Sequence, residues 1–273
     1  MIWRPAALTL ALSVVCASCA APLLKLPSGP GVLAVDANDT VTQATAACRP
    51  LMAVSLEMAV SGSLAGRRVR GRLVAGLTRT GDVRLEAVAP AGQPVFILTN
   101  GMGFAQPDAN LLLPRDNRVL QRGRFDAVLE AVTGIPLDPF TLFVVLTGCT
   151  PGPPLGGNAV GADWRIVNVD GGRMYDVYVH RDKTGPWRVV ATASRGAAAG
   201  WRAEYADFQN DLPHNVRLTS VPPGKFDLQV VLSQVELNPA LGADVFLVRI
   251  PASATPITLD ELKESGPLGT NRR

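Results

Sequence analysis

The sequence predicts a mainly β domain in which one large antiparallel sheet curls around a helical plug or folds into a sandwich. Three observations carry this. Apolar and polar residues alternate through most of the chain in short runs set off by Gly, Pro and Asn. About twelve such runs can be counted, against a few stretches with helical spacing. One of those helical stretches, residues 139–147, is apolar on every side, and a helix of that kind has to be enclosed.

The first 22 residues, "MIWRPAALTLALSVVCASCAAP", stand apart from the fold. One early positive charge (Arg4), an apolar run from Ala6 to Val15 and small residues before a cysteine make a secretory signal. The pattern is that of bacterial lipoproteins, with residues 1–19 as signal peptide and Cys19 as the acylated first mature residue. The box reads Cys16-Ala17-Ser18, with Cys16 where Leu or Val is usual; ordinary cleavage after Ala20 is the alternative. Cys16 and Cys19 have C-x-x-C spacing, but a signal peptide lacks the strand–helix context of a redox motif. Cys48 and Cys149 remain. Export permits a disulfide between them. It closes a loop of roughly 100 residues, worth up to about 4–5 kcal/mol if formed; two buried thiols are the alternative.

Residues 20–37, with Pro22, Pro27, Gly29, Pro30 and Gly31, read as a tether to a domain spanning 38–266. A helix is expected from Asp39, with Val41, Ala44, Cys48 and Leu51 at helical spacing. The period then changes. Val54, Leu56, Met58 and Val60 alternate, and "RRVRGRLVAGL", "DVRLEAVAP", "PVFILTN" and "NLLLPRD" continue as a meander. Two helices interrupt it within 124–148. The first has Phe125, Val128, Leu129 and Val132 on one face and ends at Gly134. The second starts with Asp138 as cap and Pro139 in the first turn, and stops at Gly148. Its length is about half the roughly twenty residues that span a bilayer.

Residues 150–161, "TPGPPLGGNAVG", read as a Pro/Gly loop. Seven further strands are expected: "DWRIVNVD", "MYDVYVHRD", "PWRVVATASR", "WRAEYADF", "NVRLTSV", "KFDLQVVLSQVEL" and "ADVFLVRIP". The long one changes phase after Leu232, which a bulge near Ser233 would explain. Thr258 and Glu261 form a capping box for a last short helix ending at Gly266, and 267–273 is a tail.

Little in the chain points to catalysis. His180 and His214 lack nearby partners at metal-ligand spacing, and no nucleophile elbow or P-loop occurs. "GMGFAQ" (101–106) reads as a hairpin turn, and Asp170 and Asp176 flank a Gly-Gly turn before they suggest acid–base chemistry. No cofactor is expected and the reading is a binder, not an enzyme. Removing Arg4 with the leader leaves 25 basic residues against 23 acidic, interspersed and without an aromatic platform, so nucleic acid is not the expected partner.

Residues 50–149 resemble the LolA/LolB fold, and most closely LolB, the outer-membrane lipoprotein that receives lipoproteins from a periplasmic carrier. The matching parts are the lipoprotein signal, a short helix, "GRLVAGLTRTGDVRLEAVAPAGQPVFIL", and then "LEAVTGIPLDPFTLFVVLTG". The resemblance implies an eleven-stranded, incompletely closed antiparallel β-barrel covered by helices. Val128, Leu129, Val132, Leu142, Phe143 and Leu146 would form its lid, and Leu73, Leu85 and Phe96 its wall. Such a cavity would hold the acyl chains of lipids or lipoproteins, at about 0.8 kcal/mol per buried methylene. The partners implied are acylated cargo, a periplasmic carrier protein and the inner leaflet of the outer membrane. Ordinary core packing is the alternative for each residue. Two departures stand out. The family's turn carries a protruding apolar residue between Pro and Gly, used when cargo enters the membrane; here the turn is Pro90-Ala91-Gly92, and Ala91 offers little apolar surface. The family's lid helix usually carries a Trp where this chain has Val145.

Overall fold

The alternating runs become one continuous sheet. The computed structural model describes residues 23–101, 108–195 and 200–265. Strand β1 (Val32–Leu33) precedes helix α1 (Ala37–Ala44) and a 3₁₀ turn (Ala46–Cys48). A first meander follows: β2 (Ala53–Leu64), β3 (Arg67–Thr78), β4 (Val83–Val88), β5 (Pro94–Asn100), β6 (Asp108–Leu113) and β7 (Arg118–Arg124). Then come α2 (Phe125–Thr133) and α3 (Pro139–Thr147). The second meander is β8 (Pro154–Val160), β9 (Trp164–Asp170), β10 (Met174–His180), β11 (Arg188–Ser194), β12 (Gly200–Gln209), β13 (Leu212–Val221) and β14 (Phe226–Leu237). The chain closes with a 3₁₀ turn (Ala243–Phe246), β15 (Thr255–Pro256) and α4 (Leu259–Ser265).

The sheet order is β1-β8-β9-β10-β11-β12-β13-β14-β2-β3-β4-β5-β6-β7-β15, open between β1 and β15. Neighbours are antiparallel except β15, which runs parallel to β7. The β14–β2 ladder, from Phe226↔Leu64 to Leu237↔Val54, joins the two meanders. Registers place the turns at 65–66, 89–93 and 222–225 on one rim, called upper here, and those at 79–82 and 210–211 on the lower rim.

Among the described residues fifteen strands form, against the eleven or twelve expected, and the differences have local causes. Residues 154–160, read as part of a loop, are strand β8. The prolines and glycines conceal it, yet Gly157 is required there: a Cβ would lie 2.2 Å from the Ile166 carbonyl oxygen on β9. Strand β7, "RVLQRGR", lacks apolar alternation and pairs through a shifted register. The two-residue strands β1 and β15 are edges. In the other direction, "ADVFLVRIP" forms no strand. It is part of a strap, residues 238–254, across the outer face of β3–β5. Leu241 packs 3.6 Å from where a Gly76 Cβ would stand, and the Arg84 guanidinium donates to the carbonyls of Val245 (2.9 Å) and Leu247 (3.1 Å). The expected bulge in β14 lies between Ser233 and Glu236.

The N-terminal segment read as a tether is also engaged. Leu24 N–H donates to Glu204 Oε2 (3.0 Å) and Arg202 donates to the Leu24 carbonyl, both on the outer face of β12. Residues 32–33 then join the sheet as β1, and α1 starts at Ala37, two residues before the expected Asp39. The capping box forms: Glu261 N–H meets Thr258 Oγ1 (3.2 Å) and Thr258 N–H meets Glu261 Oε2 (2.7 Å). Gly266 and the 101–106 turn beyond Gly101 lie outside the described residues, as does the whole leader with Cys16 and Cys19.

The helices occupy the concave face. Helix α1 lies against β8–β11, α3 against β13 and β3, α2 against β6 and β7, and α4 against α2. Their apolar sides and the inner face of the sheet merge into one core cluster. The burial of apolar surface here is the main stabilising term of the fold.

Candidate functional site

Helices α2 and α3 follow one another on the concave face, and local chemistry fixes both ends of α3. Asp138 Oδ1 accepts the Thr141 N–H (2.9 Å), and Pro139 occupies the first turn. Gly148 closes the helix at φ 68°, a left-handed cap open to glycine at little cost. Gly134 does the same for α2 at φ 78°. Every residue from Thr141 to Thr147 is buried.

The six lid residues meet in the core cluster with two of the three wall residues. Val128, Leu129, Val132, Leu142, Phe143, Leu146, Leu85 and Phe96 are all buried there, and Leu73 is half-buried against it. Val128 and Val132 keep 1% or less of their surface and line neither of the two open spaces described below. The space beneath these residues is filled by side chains in this conformation. The Pro90-Ala91-Gly92 turn is exposed at the tip of the β4–β5 hairpin on the upper rim, closed by Gly92 N–H to the Ala89 carbonyl (2.8 Å).

Open space lies instead on the other flank of α3. A cleft of about 350 Å³ runs between α3 and the α1 end, from Arg79 in the lower-rim turn to Pro151 and Gly152, which pack on Asp170 and Gly171. Its floor is Phe140, Phe143 and Val144, its mouth carries Thr45, Arg49 and Arg79, and the Cys48–Cys149 disulfide forms one wall. Arg79 is fixed by its guanidinium donating to the Cys48 carbonyl and its N–H donating to the Met52 carbonyl (2.8 Å). A second, nearly closed space of about 20 Å³ lies at the upper rim beside Leu137, Trp201 and Phe226. A cleft with an apolar floor and guanidinium groups at its mouth suits an amphiphile with an anionic head and an apolar tail.

Sequence reasoning missed Arg49, Arg79 and Phe140. Arg49 and Arg79 sit 30 residues apart in unrelated turns, and no local pattern brings them together. Phe140 was legible as part of an apolar helix, but not as the side that faces a cleft.

Metal chemistry finds no assembled site among the described residues. No group of three or more His, Cys, Asp or Glu side chains converges as metal ligands would. His180 stacks on Trp164, ring centroids 4.3 Å apart. Burial pushes up the phenols of Tyr205 and Tyr175, beneath α3, so both stay neutral. No described helix is long and apolar enough to cross a membrane.

Sequence comparison gives no family model and no curated protein that matches the chain. Structural comparison does. A LolA superfamily protein from Nitrosomonas europaea superposes with a TM-score of 0.55 at 11% identity, covering 79% of this chain and 99% of that one. The chain has the LolA-type fold. A DUF1329 family protein from Desulfovibrio piger is similar over 77% of this chain and 95% of its own, with TM-score 0.49 and 13% identity. The LolA-type curl accounts for the open sheet and its helical filling. The likeness reaches no further than architecture.

Proposed function

We propose that this protein is a non-catalytic, acyl-anchored envelope protein that binds acyl chains of lipids or lipoproteins, in the manner of LolB at the outer membrane. The observation that carries the reading is α3. It is apolar on all sides, with one flank in the core and the other flooring a cleft whose mouth holds Arg49 and Arg79. A tail laid along Phe140, Phe143 and Val144 would leave water, and an anionic head would meet the two guanidinium groups. Each buried methylene contributes about 0.8 kcal/mol, so affinity grows with chain length. The secretory leader and Cys19 support an envelope address, and a periplasmic carrier would supply the cargo. Ala91 at the hairpin tip argues for binding rather than for forcing cargo into a bilayer.

The test is titration of the purified full chain with a fluorescent fatty acid and with its uncharged alcohol. The expected result is saturable uptake of both, with Arg79→Glu weakening the acid by about tenfold and sparing the alcohol. No uptake of either ligand rules the reading out.

The filled underside of the lid favours a second reading, a structural envelope lipoprotein with a solid core. Absence of uptake in the same titration supports it.

A further inference from the structure

The upper rim carries a cluster of cations that the fold itself does not use. Arg67, Arg68 and Arg70 head β3 and are exposed, and Lys225 is exposed in the adjoining β13–β14 turn, with its carbonyl accepting the Ala65 N–H (2.7 Å). Strand β4 ends opposite Arg72, so the β2–β3 tip projects beyond it. Three of the acids around the cluster are already engaged, while Glu130 on α2 lines the same small space as Lys225 without forming an ion pair with it. Asp227 takes two bonds from Arg217 (2.9 and 2.8 Å), Glu57 is held by Arg72, and Glu86 by Arg84. Among the described residues the four cationic side chains have no hydrogen-bond or ion-pair partner of their own. Beyond Lys225, on the β13 side, stand exposed apolar groups, Val221, Pro222 and Pro223, and on the β4 side of the cluster the exposed turn of Pro90, Ala91 and Gly92.

We infer that this rim docks on a membrane surface rich in anionic headgroups. The inference rests on the envelope reading above and adds an orientation to it. Two observations select a lipid surface. Cations flanked on either side by small exposed apolar turns match anionic headgroups over a hydrocarbon layer. The chain leading to the anchor is held on the same half of the sheet: Leu24 is bonded to Glu204, four residues down β12 from Gly200, which lies opposite Val221 on the rim. Cys19 lies five residues before Leu24, within roughly 17 Å of extended chain. The rim thus replaces with charge what the small Ala91 lacks in apolar surface. Docked this way, the protein directs the 79–82 turn, with Arg79 of the cleft mouth, away from the bilayer.

The experiment is co-sedimentation of the full chain with vesicles of phosphatidylcholine alone or mixed with phosphatidylglycerol. The leader and anchor contribute to both, so the readout is the ratio between them. The wild type is expected to favour anionic vesicles by about tenfold, less as salt is raised. Arg68→Glu combined with Arg70→Glu should bring the ratio to within about twofold of unity, while Lys183→Glu on the lower rim leaves it unchanged. A wild type without anionic preference, or a double variant that keeps it, overturns the inference. Fatty-acid titration of the same variants separates the two readings: unchanged uptake with a lost vesicle ratio supports the rim, and lost uptake in the double variant counts against it by showing a damaged fold.

Discussion

Cys48 and Cys149, 101 residues apart in sequence, are bonded with their Cα atoms 5.7 Å apart, and so pin the end of α3 to the turn after α1. A loop of this length makes the bond a large restraint on the unfolded chain. Replacing both cysteines by serine should cost about 4–5 kcal/mol at most, less where the unfolded chain keeps structure. Urea denaturation with and without reductant measures this. Titration of unfolded, unreduced protein from Cys16→Ser and Cys19→Ser background should find no free thiol; two would contradict the bond.

Phe143 lies with one edge in the core and the other on the cleft floor, 1% exposed. Phe143→Ala should destabilise by about 3–5 kcal/mol, the usual range for a large aromatic removed from a core. The midpoint of urea unfolding reads it out. A loss below about 1 kcal/mol would mean that α3 is loosely held.

Asp138 caps α3 through Thr141 N–H and also accepts from Thr141 Oγ1 (2.5 Å). Asp138→Ala should cost about 1 kcal/mol, and Asp138→Asn, which can still accept the N–H, a fraction of that. Thermal unfolding of the pair checks the order.

The carboxyl of Asp36 is held below its usual range, first by its hydrogen bonds to Arg165, at 2.9 and 2.8 Å. A lowered carboxyl contributes stability that is complete above the unfolded value near 4 and is lost as pH falls through the folded one. Asp36→Asn should therefore be the less stable protein at neutral pH, with the gap closing in acid, as pH falls below the ordinary carboxyl range. Urea midpoints at neutral and acidic pH test this. A gap that widens in acid would refute the assignment. Because Asp36 keeps 46% of its side-chain surface exposed, solvent screening keeps the effect small.

What could be read from the sequence follows the strength of local signals. Strands with clean alternation, such as Val83–Val88 and Met174–His180, were legible because one face is core and the other water. Asp138, Pro139 and Gly148 each announce a helix end, so α3 was legible almost to the residue. Strand β8 was hidden because Pro154, Gly156 and Gly157 read as breakers, while the pairing that makes it a strand comes from β9 and β1 on either side. "ADVFLVRIP" failed in the opposite way: Phe246 is buried, but against the outer face of the sheet at Gly101, where no alternation is needed. The lid residues were legible as apolar and enclosed. That side chains fill the space below them, and that the cleft opens on the far flank of α3, depends on three-dimensional packing that no one-dimensional pattern records.

The β14–β2 ladder bears on the speed of folding. Within each meander, neighbouring strands follow each other in the chain, so their hairpins close short loops. The ladder instead joins residues near 60 to residues near 230 along its full length, and little rewards that pairing until both halves are nearly formed. Loop closure over such a distance is an entropic barrier that slows β-rich chains. The two halves are therefore expected to collapse early and separately, and the seam between them to set the refolding rate. Conservative changes at the seam, such as Val60→Ala, should then slow refolding more than equal destabilisations at the outer strands.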